Sequence, residues 1–233
     1  MTTDAPSNAR GAADPATERL VGTGVARRED RRLLTGRARY TDDVAPPDGV
    51  FLAIHRSQYG HARIDGIDTA DAEAHDGVLG VLTWSDIDAS DAPGVIAGPG
   101  DRIDVEVPGH PILARERVRY QGQPVAAVVA TDRYLAHEAA AQVDVEYTPL
   151  DTVSNPAEAA ADGAPTLFDA APDNVCLTTT VGDRAATEEA FASAQRTVSV
   201  ELRNNRLMPT AMEPRAAVAQ YDDATERLEV TVT

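Results

Sequence analysis

An α+β fold with mixed sheets is what the sequence predicts, in two unequal units. The first spans residues 20–152 and the second, incomplete, spans 181–233; a disordered tail (1–19) precedes them and a linker (153–180) joins them. Three observations carry this reading. A strand–helix–strand succession is legible between Pro124 and Tyr147. Strands with strict two-residue alternation recur at Thr197–Leu202 and Arg227–Thr233 without helices between them. Stretches rich in Asp, Pro, Ala and Gly separate these blocks, and such composition marks loops and linkers.

In chain order, residues 1–18 are polar and aperiodic, as a disordered tail is. Val50-Phe-Leu-Ala-Ile-His-Arg56 and Gly77-Val-Leu-Gly-Val-Leu-Thr83 read as strands. Thr83 or Ser85, ahead of Asp86, caps a short helical turn. Asp88 to His110 reads as a long surface loop. The all-apolar run Pro124-Val-Ala-Ala-Val-Val-Ala130 suits a strand buried on both faces. Thr131 or Asp132 then caps a helix to about Gln142, with Leu135, Ala139 and Ala140 on one side. Val143-Asp-Val-Glu-Tyr147 alternates in and out and ends at the Thr148-Pro149 break. Asn155 caps a short helix with Pro156 at its first position. Asp162 to Leu177 reads as a crossing linker, Ala185–Ala194 as a helix apolar at Ala190, Phe191 and Ala194. Arg215–Tyr221 pairs with Arg227–Thr233 through a turn at Asp222-Asp223. The final strand leaves an uncovered edge.

Composition narrows the function classes. The chain has 233 residues, 42% hydrophobic but only 4% aromatic, so its core rests on Ala, Val, Leu and Ile. The net charge is -17, and all 21 basic residues are arginines. An acidic surface without lysine argues against non-specific nucleic-acid binding, because phosphate contacts require clustered positive charge. No apolar run approaches the about 20 residues of a membrane span, and the N-terminal residues form no secretory signal. The default location is the cytoplasm. An acidic, lysine-free surface also suits a high-salt cytoplasm, where the Debye length falls to about 3 Å and carboxylate repulsion is screened. The single cysteine, Cys176, excludes an internal disulfide and a multi-cysteine cluster. It reads as a small apolar filler, since no neighbour suggests an activating base.

No stretch supplies a catalytic constellation by itself. Gly22-Thr-Gly24 begins like a dinucleotide fingerprint, but position 27 is arginine and no apolar strand precedes it. Gly98-Pro-Gly100 lacks the Lys-Ser/Thr ending of a phosphate loop and reads as turn chemistry. His137-Glu138 has no second histidine at helical spacing and reads as a solvated pair. His55 and His61 flank a turn and are placed to meet, but two imidazoles without further ligands hold no metal.

Several segments nevertheless share one likeness. Val21-Gly-Thr-Gly-Val-Ala-Arg-Arg-Glu-Asp-Arg-Arg-Leu-Leu-Thr-Gly-Arg-Ala-Arg-Tyr-Thr-Asp-Asp43 resembles the opening of the large subunits of aerobic carbon-monoxide dehydrogenase, aldehyde oxidase and xanthine dehydrogenase. His55-Arg-Ser-Gln-Tyr-Gly-His-Ala-Arg-Ile64 resembles that family's Arg-Ser-Pro-His-Ala-His-Ala-Arg-Ile turn, departing at Gln58, Tyr59 and Gly60. Gly122-Gln-Pro-Val-Ala-Ala-Val-Val-Ala130 and Glu146-Tyr-Thr-Pro-Leu150 resemble the close of its hammerhead domain. Asn204 to Arg215, with Met-Glu-Pro-Arg at its end, resembles the start of its molybdenum-binding region.

The resemblance implies a mixed-sheet hammerhead domain over 20–152, followed by the truncated first part of an α+β molybdopterin-binding domain. It implies the N-terminal portion of a molybdenum hydroxylase large subunit that oxidises carbon monoxide, an aldehyde or an N-heterocycle with water as oxygen source. It further implies a molybdopterin cofactor in its cytosine dinucleotide form, and as partners the rest of the large subunit, an iron–sulfur small subunit and an FAD medium subunit. The family's cofactor-holding segments map onto no position here. No catalytic, cofactor-binding or metal residue is therefore carried over, and the fragment alone is expected to be inactive. The matched residues serve as scaffold: Gly36, Gly122 and Pro124 shape turns, Gln123 is a buried polar group needing partners, and Glu213 is a buried charge paired with Arg206 or Arg215, the alternative being a contact to the rest of the subunit. The rival readings are a non-catalytic hammerhead module that binds a partner subunit, and an inactive gene fragment. If the acidic surface is a salt adaptation, circular dichroism will show cooperative unfolding only at elevated salt; full structure in dilute buffer counts against it.

Overall fold

The computed structural model describes residues 24, 26–44, 46, 48–96 and 108–233. The expected tail over 1–19, the Gly98-Pro-Gly100 turn and all but Gly24 of the Gly22-Thr-Gly24 segment lie outside those residues. Two compact units are present: one joins residues up to Pro46 with Arg206–Thr233, and the other is Pro47–Asn205.

In the N-terminal part, helix α1 covers Asp30–Leu34 and a single 3-10 turn covers Thr41–Val44. The larger unit then begins with strand β1, Phe51–Arg56, and β2, Ala62–Asp68. The short helix α2 (Ala70–Glu73) leads into β3, Val78–Leu82, and α3, Trp84–Asp88. The backbone N–H and the hydroxyl of Thr83 both donate to Asp86, which fixes the entry into α3. Of the stretch read as a loop, residues 97–107 lie outside the described residues; the two-residue strand β4 (Val95–Ile96) falls within it, β5 (His110–Pro111) begins at its end, and β6 (Arg117–Val118) follows. Strand β7 is Pro124–Ala130, helix α4 Arg133–Ala140 and strand β8 Asp144–Pro149. Asp132 caps α4 by accepting the Tyr134 and Leu135 N–H groups, and Asn155 caps α5 (Pro156–Ala159) through Ala157.

The two three-stranded sheets have the orders β1-β7-β3 and β6-β2-β8. Every ladder among the described residues is antiparallel, so the sheets are not mixed, although the α+β class stands. β7 and β8, consecutive around α4, lie in different sheets. The apolar run of β7 reads as doubly buried because it is the centre of its sheet, flanked by β1 and β3 and covered on both faces. Ala126, Val128 and Ala130 face a cluster with Ala53 and the helix residues Ala136, Ala139 and Ala140. Val125 faces a second cluster with Ala62, Ala114 and Val118. Ile67 and Val145 of the second sheet pack against both clusters. Alanine on both the helix and the sheet lets their backbones approach closely, which is how a chain poor in aromatics still excludes water. Gly77 enters β3 at φ +92°, where a side chain would meet Leu135 and Thr131 at 2.9 Å.

Residues 153–180, read as a linker, include a docked segment. The Arg119 Nε–H donates to the Leu167 carbonyl at 2.6 Å, and its guanidinium lies 4.6 Å from the Phe168 ring centroid. Asn174, at φ 57°, donates from its amide to the Ala159 and Pro165 carbonyls and accepts the Leu167 N–H. Helix α6, Arg184–Ser193, forms where expected, capped by Asp183. Its apolar residues are not buried, however, and Phe191 is exposed. Thr197–Leu202 departs from expectation. Its alternation fits a strand, but it has no ladder partner among the described residues, and Val198, Val200 and Leu202 are exposed.

In the smaller unit, β9 (Ala217–Asp222) and β10 (Arg227–Val232) form the expected hairpin, Asp222 opposite Arg227 and Ala217 opposite Val232. The Asp222 carboxylate accepts the Ala224 N–H and the Thr225 hydroxyl, closing the turn. Val128 is fully buried between three elements. Val128→Ala should therefore lower the unfolding free energy by about 1.5–3 kcal/mol, the transfer of two methyl groups plus a residual cavity; urea denaturation measures it.

Candidate functional site

The most polar part of the interior is a corner where β1 turns towards β2 and β7 begins. The chain leaves β1 through an irregular step after His55. Ser57 then closes a tight turn: its Oγ accepts the Tyr59 N–H at 3.0 Å and donates to the Tyr59 carbonyl at 3.1 Å. The Ser57 N–H donates to the Gln123 carbonyl at 2.9 Å, and the Gly122 N–H donates back to the Ser57 carbonyl at 2.8 Å. Gly122 needs φ +88° to make this return, which suits glycine. The Arg56 guanidinium closes the outside by donating to the Gly122 carbonyl.

Gln123 is 4% exposed, and its Oε1 accepts the Arg119 N–H at 2.7 Å. The partner that a buried amide demands is thus a backbone group four residues upstream. His55 and His61, placed by sequence to meet, are each drawn to a different carbonyl. His55 Nδ1 lies 2.9 Å from Ala140 O, at the end of α4, and His61 Nδ1 lies 2.7 Å from Asp151 O, just past β8. A carbonyl only accepts, so both rings carry their proton on Nδ1. His61 is 6% exposed, and its Nε2 is buried without a hydrogen-bond partner. Beside it the Tyr59 and Tyr147 rings meet at 5.0 Å, tilted by 54°. The Tyr147 hydroxyl is buried near Ser57 without reaching a hydrogen bond. Burial pushes the Tyr147 phenol pKa up, with Ser57 opposing and Tyr59 adding to the rise.

Chemically the corner is a brace. The Ser57 hydroxyl is spent on its own turn, the imidazole Nδ1 atoms are spent on main-chain carbonyls, and neither histidine is oriented by a carboxylate as a general base would be. Among the described residues no group of three or more His, Cys, Asp or Glu side chains converges to hold a metal ion. His137 and Glu138 are both exposed, as a solvated pair is. Cys176, expected as an apolar filler, is exposed instead, on the segment following the Asn174 hub. Glu213 differs as well: its Oε1 accepts the Thr41 N–H at 2.7 Å, so a backbone donor takes the place assigned to Arg206 or Arg215. That bond ties the 3-10 turn to the segment before β9, a pairing across 172 residues that no local pattern announces.

No helix among the described residues is long and apolar enough to cross a membrane. The Tyr147 hydroxyl yields two expectations. Near neutral pH Tyr147→Phe should leave stability unchanged or raise it slightly, because an unsatisfied buried polar group is removed. The raised pKa means that the folded state favours the neutral phenol. Its contribution is whole below the ordinary value of 10.0 and is lost as pH rises through the elevated folded value. Melting temperatures taken on both sides of that range should fall less in the phenylalanine variant; an identical fall in both proteins refutes the assignment.

Comparison with known proteins agrees with this geometry. Residues 35–151 match the family model described as "Aldehyde oxidase and xanthine dehydrogenase, a/b hammerhead domain", and residues 167–233 match "Molybdopterin cofactor-binding domain". The chain is 37% identical over 227 residues to the 6-hydroxypseudooxynicotine dehydrogenase complex subunit gamma of Paenarthrobacter nicotinovorans, covering 96% of this chain and 28% of that protein. It is 34% identical over 236 residues to the carbon monoxide dehydrogenase large chain of Afipia carboxidovorans, covering 95% of this chain and 28% of that one. The crystal structure of quinoline 2-oxidoreductase from Pseudomonas putida superposes with a TM-score of 0.76 at 37% identity, over 92% of this chain and 27% of that chain. The chain thus spans little more than a quarter of the length of these relatives. These matches make the chain a member of the aldehyde oxidase and xanthine dehydrogenase family, with residues 35–151 matching its hammerhead domain and residues 167–233 its molybdopterin cofactor-binding domain.

Proposed function

We propose that this chain is the N-terminal portion of a molybdenum hydroxylase large subunit that works in the cytoplasm. The complete enzyme oxidises carbon monoxide, an aldehyde or an N-heterocycle, takes oxygen from water, and passes electrons to an iron–sulfur small subunit and an FAD medium subunit. The observation that carries this reading is the pair of family matches in succession, 35–151 and 167–233, along one chain. The cofactor of the complete enzyme is molybdopterin, in its cytosine dinucleotide form.

The acidic depression among the described residues does not fit that cofactor. A depression beside β2 and β8 is lined by Asp68, Glu73, Asp144 and Glu146, whose charge opposes a phosphate-bearing pterin. Residues 181–233 are almost wholly exposed. The role assigned to this chain is therefore to brace and present: the Ser57–Gly122 corner and the β7 core hold a rigid wall, and the rest of the subunit supplies the seat.

The tagged chain, purified natively from its source cells, should elute with flavin absorbance and non-haem iron in stoichiometric amounts. Separated from its partners, it should retain no molybdenum by plasma mass spectrometry. Elution without flavin and iron defeats the subunit reading, and stoichiometric molybdenum on the isolated 233 residues defeats the scaffold role.

A further inference from the structure

We draw no further inference here: the strongest candidate, the corner between β1 and β2 where His61 Nε2 and the Tyr147 hydroxyl are buried without hydrogen-bond partners, belongs to the site already described.

Discussion

The larger unit depends on one constraint: β7 must be dry on both faces. A central strand that turns Ala126, Val128 and Ala130 one way and Val125 the other needs two flanking strands for its backbone and two apolar layers for its side chains. β1 and β3 satisfy the first need, and α4 with the β2–β8 sheet satisfies the second. With few aromatics to fill space, closure relies on small residues fitting closely. A methyl group lost or gained there is felt because interiors are packed near crystal density.

The polar corner follows from the same arrangement. Where β1 hands over to β2, the chain passes from one sheet to the other, and its backbone groups lose their ladder partners. There Ser57 exchanges backbone hydrogen bonds with Gly122 and Gln123, while the Gln123 and His61 side chains serve the Arg119 amide and the Asp151 carbonyl nearby. This accounts for an invested set of side chains with no reacting geometry: their hydrogen bonds are those that a change of sheet leaves unmade. The smaller unit uses the same economy, one carboxylate of Glu213 serving the amide of Thr41.

Much of this was legible in the residues. Apolar runs and alternation marked β1, β3, β7, β8 and the β9–β10 hairpin, and cap chemistry marked α4 and α5, because each signal is local. β2 was harder: Ala62-Arg-Ile-Asp-Gly-Ile-Asp68 carries charges on its open face and a glycine at its register shift, so its pattern is diluted. Thr197–Leu202 shows the converse, since alternation describes a face and says nothing about a pairing partner. The site was legible only as resemblance. That His55 and His61 would part and that Glu213 would choose a backbone amide are decided by contacts across long sequence separations.

The Asn174 hub has a bearing on how this chain would survive a nick. Its amide clasps carbonyls at 159 and 165 and the amide at 167, while Arg119 grips the loop from outside. A protease severing the exposed bonds near Asp162 would leave each broken end fastened to the same side chain. Such a molecule would separate into two pieces in detergent yet migrate whole in native buffer. The connection between its parts resides in that clasp as much as in the peptide bond.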